Sequence, residues 1–175
     1  SKNNEITLCV MSDGASAQYD DKKMIKVRQD ACKKAGKILG ISKFHFLNFP
    51  DMKLDSISHV EMNKELEKII KKINPKILYS TSYNDLNKDH QKVFESCSII
   101  SRPISSKIKK FLCFEMGGRN KIPFNPNTYV DISKELSFKL KALNQYKTEI
   151  NPFPHERSLK FIESLSHVRG VESGF

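Results

Sequence analysis

Arginine is scarce in this chain although base is abundant. The 175 residues carry 30 lysines and arginines against 20 acids, a formal net charge of +10, yet only five are arginine: Arg28, Arg102, Arg119, Arg157 and Arg169. Base-edge readout of nucleic acid leans on the bidentate guanidinium, and phosphate tracking wants cations gathered in a strip interleaved with aromatic rings. The lysines here are instead spread over every expected helix. The charge therefore reads as a solvated surface, and nucleic acid is not expected as a partner. Cysteine is also sparse. Cys9, Cys32, Cys97 and Cys113 form no C-x-x-C pair, and each sits within or beside an apolar segment, where a free thiol packs as a small hydrophobe. A reduced, cytoplasmic compartment is the expectation. No apolar run approaches the roughly 18 residues of a membrane span. The opening "SKNNEITLCV" lacks the regions of a signal peptide, so a soluble chain is expected. H-E-x-x-H, G-x-S-x-G and a glycine-rich phosphate loop are all missing, and the single glycine of "SDGASA" cannot cradle a pyrophosphate.

What is present is alternation. "ITLCVM" from Ile6 reads as a strand, and Lys22 to Leu39 then carries Met24, Val27, Ala31, Ala35 and Ile38 at helical spacing, closed by Gly40. "KFHFLNF" is a second strand; Met62, Leu66, Ile69 and Ile73 mark a helix that Asn74-Pro75 ends. "KILYST" is a third strand, followed by a helix opening near Asp89 with Val93, Cys97 and Ile100 on one face. "KKFLCFEM" and "NTYVDI" are expected as later strands, and two more helices are expected, one from Ser133 and one from His155 to His167 stopped by Gly170. Strands alternating with amphipathic helices imply βαβ units and a mostly parallel sheet covered on both sides. One α/β domain spanning 1–175 is expected, since 175 residues suffice for one buried core and no repeat or linker interrupts them.

In open sheets of this kind the ligand crevice lies beyond the carboxyl ends of the strands. Three loops would share that edge: "SDGASA", "NFPDMKLD" and "YNDLNKDH". The last is the most polar, and His90 is in phase with Val93, Cys97 and Ile100, which turns its ring inward on the first helical turn. An imidazole there can bind a metal or do acid-base work, and Asp89 can cap the helix or accept a hydrogen bond behind it. From spacing alone the plainer arrangement is favoured. Asp and Asn crowd loops and N-caps because their side chains mimic backbone turns, and a lone inward histidine is commonly a hydrogen-bonded core residue.

The ordered series "VMSDG", "VRQDACKKAGKILGI", "FLNFPD", "YNDLNKDH", "SRP", "NPNTYVDIS" and "PHERSLKFIESLSHVRG" resembles the PIG-L/LmbE family of zinc-dependent N-acetylglucosaminyl deacetylases across nearly the whole chain. The resemblance implies a Rossmann-like three-layer α/β/α domain and cytoplasmic bacterial relatives that hydrolyse the N-acetyl amide of amino sugars or their conjugates. It also implies a catalytic Zn2+. Carried over by residue, it makes His90 the metal ligand of the third loop, and Asp89 and Asn87 catalytic neighbours, Asn87 standing where other branches carry a histidine. Asp85, Arg28, His155 and Arg157 become substrate-binding residues, with Arg28 matching an "R..E"-like helix start and His155 and Arg157 a "PHpRS" element. Spacing alone equally allows Arg28 to be a surface arginine paired with an acid. Arg102-Pro103 and Glu115 match as structural residues. The implied partner is a small amino-sugar or glycoconjugate substrate, and a homo-oligomer is compatible with it.

One departure stands out. The family opens with a strand ending in His-Pro-Asp-Asp, which supplies two zinc ligands and the general base, whereas this chain begins at what corresponds to the second strand and ends within "RGVESGF". The expectation is a domain with its first strand missing, truncated at both ends and inactive alone, because zinc needs about three ligands to bring bound water toward a pKa of ~7. The alternative is a non-catalytic carbohydrate or nucleotide-sugar binding module on the same sheet.

Overall fold

The computed structural model describes residues 4–19, 21–118 and 120–175. Strands and helices alternate through the first two thirds: β1 (Thr7–Ser12), α1 (Lys23–Ile38), β2 (Lys43–Phe49), a 3-10 turn (Leu54–Ser56), α2 (His59–Ile73), β3 (Ile77–Ser80), α3 (Lys88–Ile100) and β4 (Lys110–Cys113). Two helices, α4 (Leu136–Leu143) and α5 (Leu159–Ser173), close the chain. This is an α/β protein, as the alternation predicts. Its described strands pair as β1 with β2 and β3 with β4, the second pair parallel with Ile77 opposite Lys110 and Ser80 opposite Cys113. The chain divides into two compact units, one of Ser1–Asn48 with Pro126–Phe175 and one of Phe49–Asn125.

In the first unit α1 packs on α4, and α4 on α5. The buried face of α1 carries Ala31, Cys32, Ala35 and Gly36, and Val27, expected inside, is 45% exposed. The stripe has turned by one position. Arg28 stands at the head of the i, i+3, i+4, i+7 row, because three small residues and a cysteine let neighbouring segments approach where Val27 would have filled the gap. Gly36 shows how close that approach is: a Cβ there would run into the ring of Phe44 on β2.

The second unit is built around Leu54, Met62, Leu66, Cys97, Ile100 and Ile108, all buried. Helix α2 starts at Ser58, whose side chain accepts from the Glu61 amide, and stops at Asn74 in the left-handed region (φ 52°) before Pro75. Its expected face is the observed one, with Met62 and Leu66 innermost. Helix α3 covers β3, and α2 and the 3-10 turn pack on α3. Along β3 the period-two alternation leaves Ile77 and Tyr79 exposed while Ser80 is buried.

Three expected elements shift. "NTYVDI" is not a strand: Val130 is 67% exposed, and the Asp131 carboxylate accepts from the backbone and hydroxyl of Ser133, so the segment turns toward α4 instead of pairing. The helix expected from Ser133 begins at Leu136, after a turn in which the amides of Glu135 and Leu136 both reach the Ile132 carbonyl. The last helix begins at Leu159, capped by Ser158, whose side chain accepts from the Phe161 amide. It runs through Gly170 and ends at Gly174 (φ 80°). A single glycine inside a helix costs only about 1 kcal/mol and need not stop it.

Candidate functional site

The polar loop after β3 is densely hydrogen-bonded, with partners for Asn84, Asp85, Asn87, Asp89 and His90. Asn84 is 6% exposed and ties the loop to residues 121–122: its side-chain amide donates to the Ile122 carbonyl (2.7 Å) and its backbone carbonyl accepts from the Lys121 amide (2.8 Å). Asn87 caps α3, its Oδ1 accepting from the Asp89 amide at 2.8 Å. Its own Nδ2 faces Met52 Sδ at 3.5 Å. These are the turn and cap roles that short amide side chains fill well.

The two aspartates divide the work differently from the expectation. Asp89, set beside His90 by sequence, turns away from it: its carboxylate accepts from the Met52 amide (2.7 Å) and the Leu54 amide (3.0 Å), pinning the 3-10 turn to α3. Burial pushes its pKa up, the two amides oppose that, and Asp51 and Asp55 add to the rise. Asp85, expected at the substrate, is 1% exposed. Its Oδ1 accepts from the Asn87 amide (2.8 Å), and its Oδ2 lies 2.7 Å from His90 Nδ1. Thus the carboxylate that holds the imidazole is five residues before it rather than one. The backbone of the pair is fixed as well, with Thr81 Oγ1 donating to the His90 carbonyl and Gln91 Nε2 to the Asp85 carbonyl.

A carboxylate oxygen accepts, so His90 donates through Nδ1, and in the neutral ring the lone pair lies on Nε2. The ring is 24% exposed, which leaves that nitrogen open to a ligand, a proton or a metal. A zinc ion needs more. Among the described residues there is no group of three or more His, Cys, Asp or Glu side chains placed to hold one. The described residues place no such group around His90 Nε2 and so do not make up a complete zinc site.

The remaining expected residues belong to the first unit. Arg28 and Arg157 meet on a residue the sequence did not single out, Glu149: one carboxylate oxygen pairs with Arg28 and the other with Arg157. Arg28 also lies 5.8 Å from the Tyr19 ring centroid, and its Nη2 is 3.4 Å from Gln18 Oε1. His155 is exposed and accepts from the Arg157 amide at Nδ1 (2.9 Å), before the helix and not within it. Glu149 follows α4 in a turn without periodicity, so no pattern marks it. Tyr146, one turn earlier, is hydrogen-bonded to Cys32, and burial raises the pKa of both groups.

The "SDGASA" loop carries its own anion. Asp13 Oδ1 accepts from the amides of Ala15 and Ser16 (3.0 and 2.9 Å), which uses the donors a phosphate would need. Arg102 Nε donates to the Ile99 carbonyl (3.0 Å) at the end of α3.

The fold is shared with solved structures. The chain superposes on the conserved protein TT1542 from Thermus thermophilus with a TM-score of 0.74 at 15% identity, covering 99% of this chain and 77% of that one. It superposes on N,N'-diacetylchitobiose deacetylase from Pyrococcus horikoshii, solved with its inhibitor MPG, with a TM-score of 0.71 at 20% identity, covering 97% and 69%. These likenesses establish the Rossmann-like α/β class. Residues 1–99 match the family model described as PIG-L: GlcNAc-PI de-N-acetylase, and the chain belongs to the PIG-L family. Its chemical class is accordingly that of a deacetylase of the N-acetylglucosamine type. Among the described residues no helix is long and apolar enough to cross a membrane.

Proposed function

We propose that this protein is a hydrolase that removes the N-acetyl group of an N-acetylglucosamine-type amino sugar or its small conjugate, in the bacterial cytoplasm, with zinc. Family membership supports the reaction class. The observation that carries the reading to a residue is the His90–Asp85 contact of 2.7 Å, which occupies Nδ1 of a partly exposed imidazole and, in the neutral ring, leaves the lone pair on Nε2. Hydrolysis of an amide requires a group to accept the nucleophile's proton and return one to the leaving amine, and a neutral imidazole held by a carboxylate suits either task. The same nitrogen is the one a zinc ion would use. The zinc reading otherwise rests on family membership alone. Asn87 and Asp89 are assigned to the reaction through position, by fixing the start of α3 on which His90 stands. Arg157 and His155 are assigned to sugar oxygens, and Arg28 to the support of Arg157.

Acetate release from N-acetylglucosamine and N,N'-diacetylchitobiose, by the protein expressed from its complete reading frame with zinc present, tests the reading. His90→Ala should lower the rate by at least ~10²-fold, the usual scale for a lost acid-base group or ligand. An unchanged rate would remove His90 from the reaction. Saturable binding of either sugar without acetate release would favour the non-catalytic binding module.

A further inference from the structure

Two cations sharing one partly buried anion is an arrangement that stability alone explains poorly. Arg28, Arg157 and Glu149 have side chains 12%, 33% and 20% exposed. The triad keeps a net positive charge, and Arg28 Nε is buried with no hydrogen-bond partner among the described residues. Removing such groups from water costs more than their attraction readily returns, and apolar residues of similar volume commonly serve stability as well or better. What the arrangement does supply is geometry. A guanidinium is a planar fork, and a carboxylate that holds one edge fixes the direction of the others.

Glu149 is itself firmly mounted. Its amide donates to the Tyr146 carbonyl (2.8 Å), and its carbonyl accepts from Asn151 Nδ2 (3.0 Å). The Asn151 amide in turn reaches the Arg157 carbonyl (3.5 Å), so the segment between the acid and the arginine is closed on itself. Arg28 comes from α1 and is nearly enclosed, between Glu149 and the Tyr19 ring. Of the two arginines, Arg157 retains the larger exposed edge.

We propose that Glu149 is the positioning residue of the substrate-binding arginine: it holds Arg157 with an exposed guanidinium edge for sugar oxygens, and Arg28 serves as the buried counterweight on its other oxygen. This rests on the assignment of Arg157 to substrate. Glu149 touches no reacting atom in this account and acts only through the guanidinium.

Chemical-shift titration of the full chain with N-acetylglucosamine, together with a double-mutant cycle, decides it. Arg157→Ala and Glu149→Gln should each weaken binding by ~10-fold, and the double variant should bind no more weakly than Arg157→Ala, because the carboxylate has nothing left to position. Additive losses would overturn the proposal, since a general structural role moves binding independently of Arg157. Unchanged binding in Glu149→Gln beside weakened binding in Arg157→Ala would overturn it and leave the substrate reading intact. Unchanged binding in Arg157→Ala would overturn both. Should Glu149→Gln fail to fold, Glu149→Asp, which keeps the charge but draws the carboxylate back by one methylene, is judged by the same coupling to Arg157→Ala.

Discussion

His90 Nδ1 lies 2.7 Å from Oδ2 of Asp85, whose side chain is 1% exposed. The contact selects a tautomer. Free neutral imidazole favours the proton on Nε2, whereas a buried carboxylate at Nδ1 draws the proton to that side and leaves Nε2 as the acceptor.

Nitrogen NMR of the neutral ring should therefore show Nδ1 protonated and Nε2 bare. Asp85→Asn should return the ring toward the Nε2-protonated form. It should also destabilise the fold by about 1–3 kcal/mol, since Asp85 Oδ1 also serves the Asn87 amide. A wild-type ring protonated on Nε2 would reject the tautomer and the role built on it.

Asn87 offers a separation of cap from chemistry. Asn87→Ala should cost about 1 kcal/mol of stability through the lost cap on the Asp89 amide. Asn87→Asp keeps an accepting oxygen at the helix start and should hold stability within a few tenths of a kcal/mol, while removing the Nδ2 donor. Acetate release that falls in Asn87→Asp at unchanged melting temperature would show a use for the donor; equal activity would make Asn87 a cap only.

Gly36→Ala should destabilise by about 1–3 kcal/mol, although alanine is the better helix former, because the added methyl meets the Phe44 ring. Phe44 is stacked on Phe46 at 6.4 Å between centroids, which limits its retreat. A neutral or stabilising result, read from denaturant midpoints, would mean that the ring moves freely.

The thiols give a pH signature. Burial raises the pKa of Cys32, Cys97 and Cys113. Their alkylation in the native protein should therefore accelerate only above the pH at which unfolded thiols, near ~8.5, already react. The native state keeps these protons longer than the unfolded chain does, so stability should fall as pH rises from that value through the raised folded pKa values, and be level below it. Native and denatured labelling rates that match at pH 8 would contradict the burial of these sulfurs.

Much of this protein is fixed locally. Strand β2 coincides with "KFHFLNF", and α1 and α2 fall within a residue or two of their apolar spacing and their Gly40 and Asn-Pro stops, because side-chain period and backbone restriction act over a few residues. The ordered motifs point to the PIG-L family for the same reason: they are strings. The pairings were not legible. Whether Val27 or Arg28 faces inward differs by one step of 100°, and only the packing of α1 against other segments decides it. Which aspartate of "YNDLNKDH" holds His90 depends on how the loop folds back: Asp89 is drawn off by the Met52 and Leu54 amides, and Asp85 is left facing the ring. Glu149 acquires its two arginines from segments 121 and 8 residues away. No local rule reaches across such separations, since the chain pays their closure entropy only when the whole core forms, and that is why the side-chain geometry of the candidate site belongs to the tertiary structure.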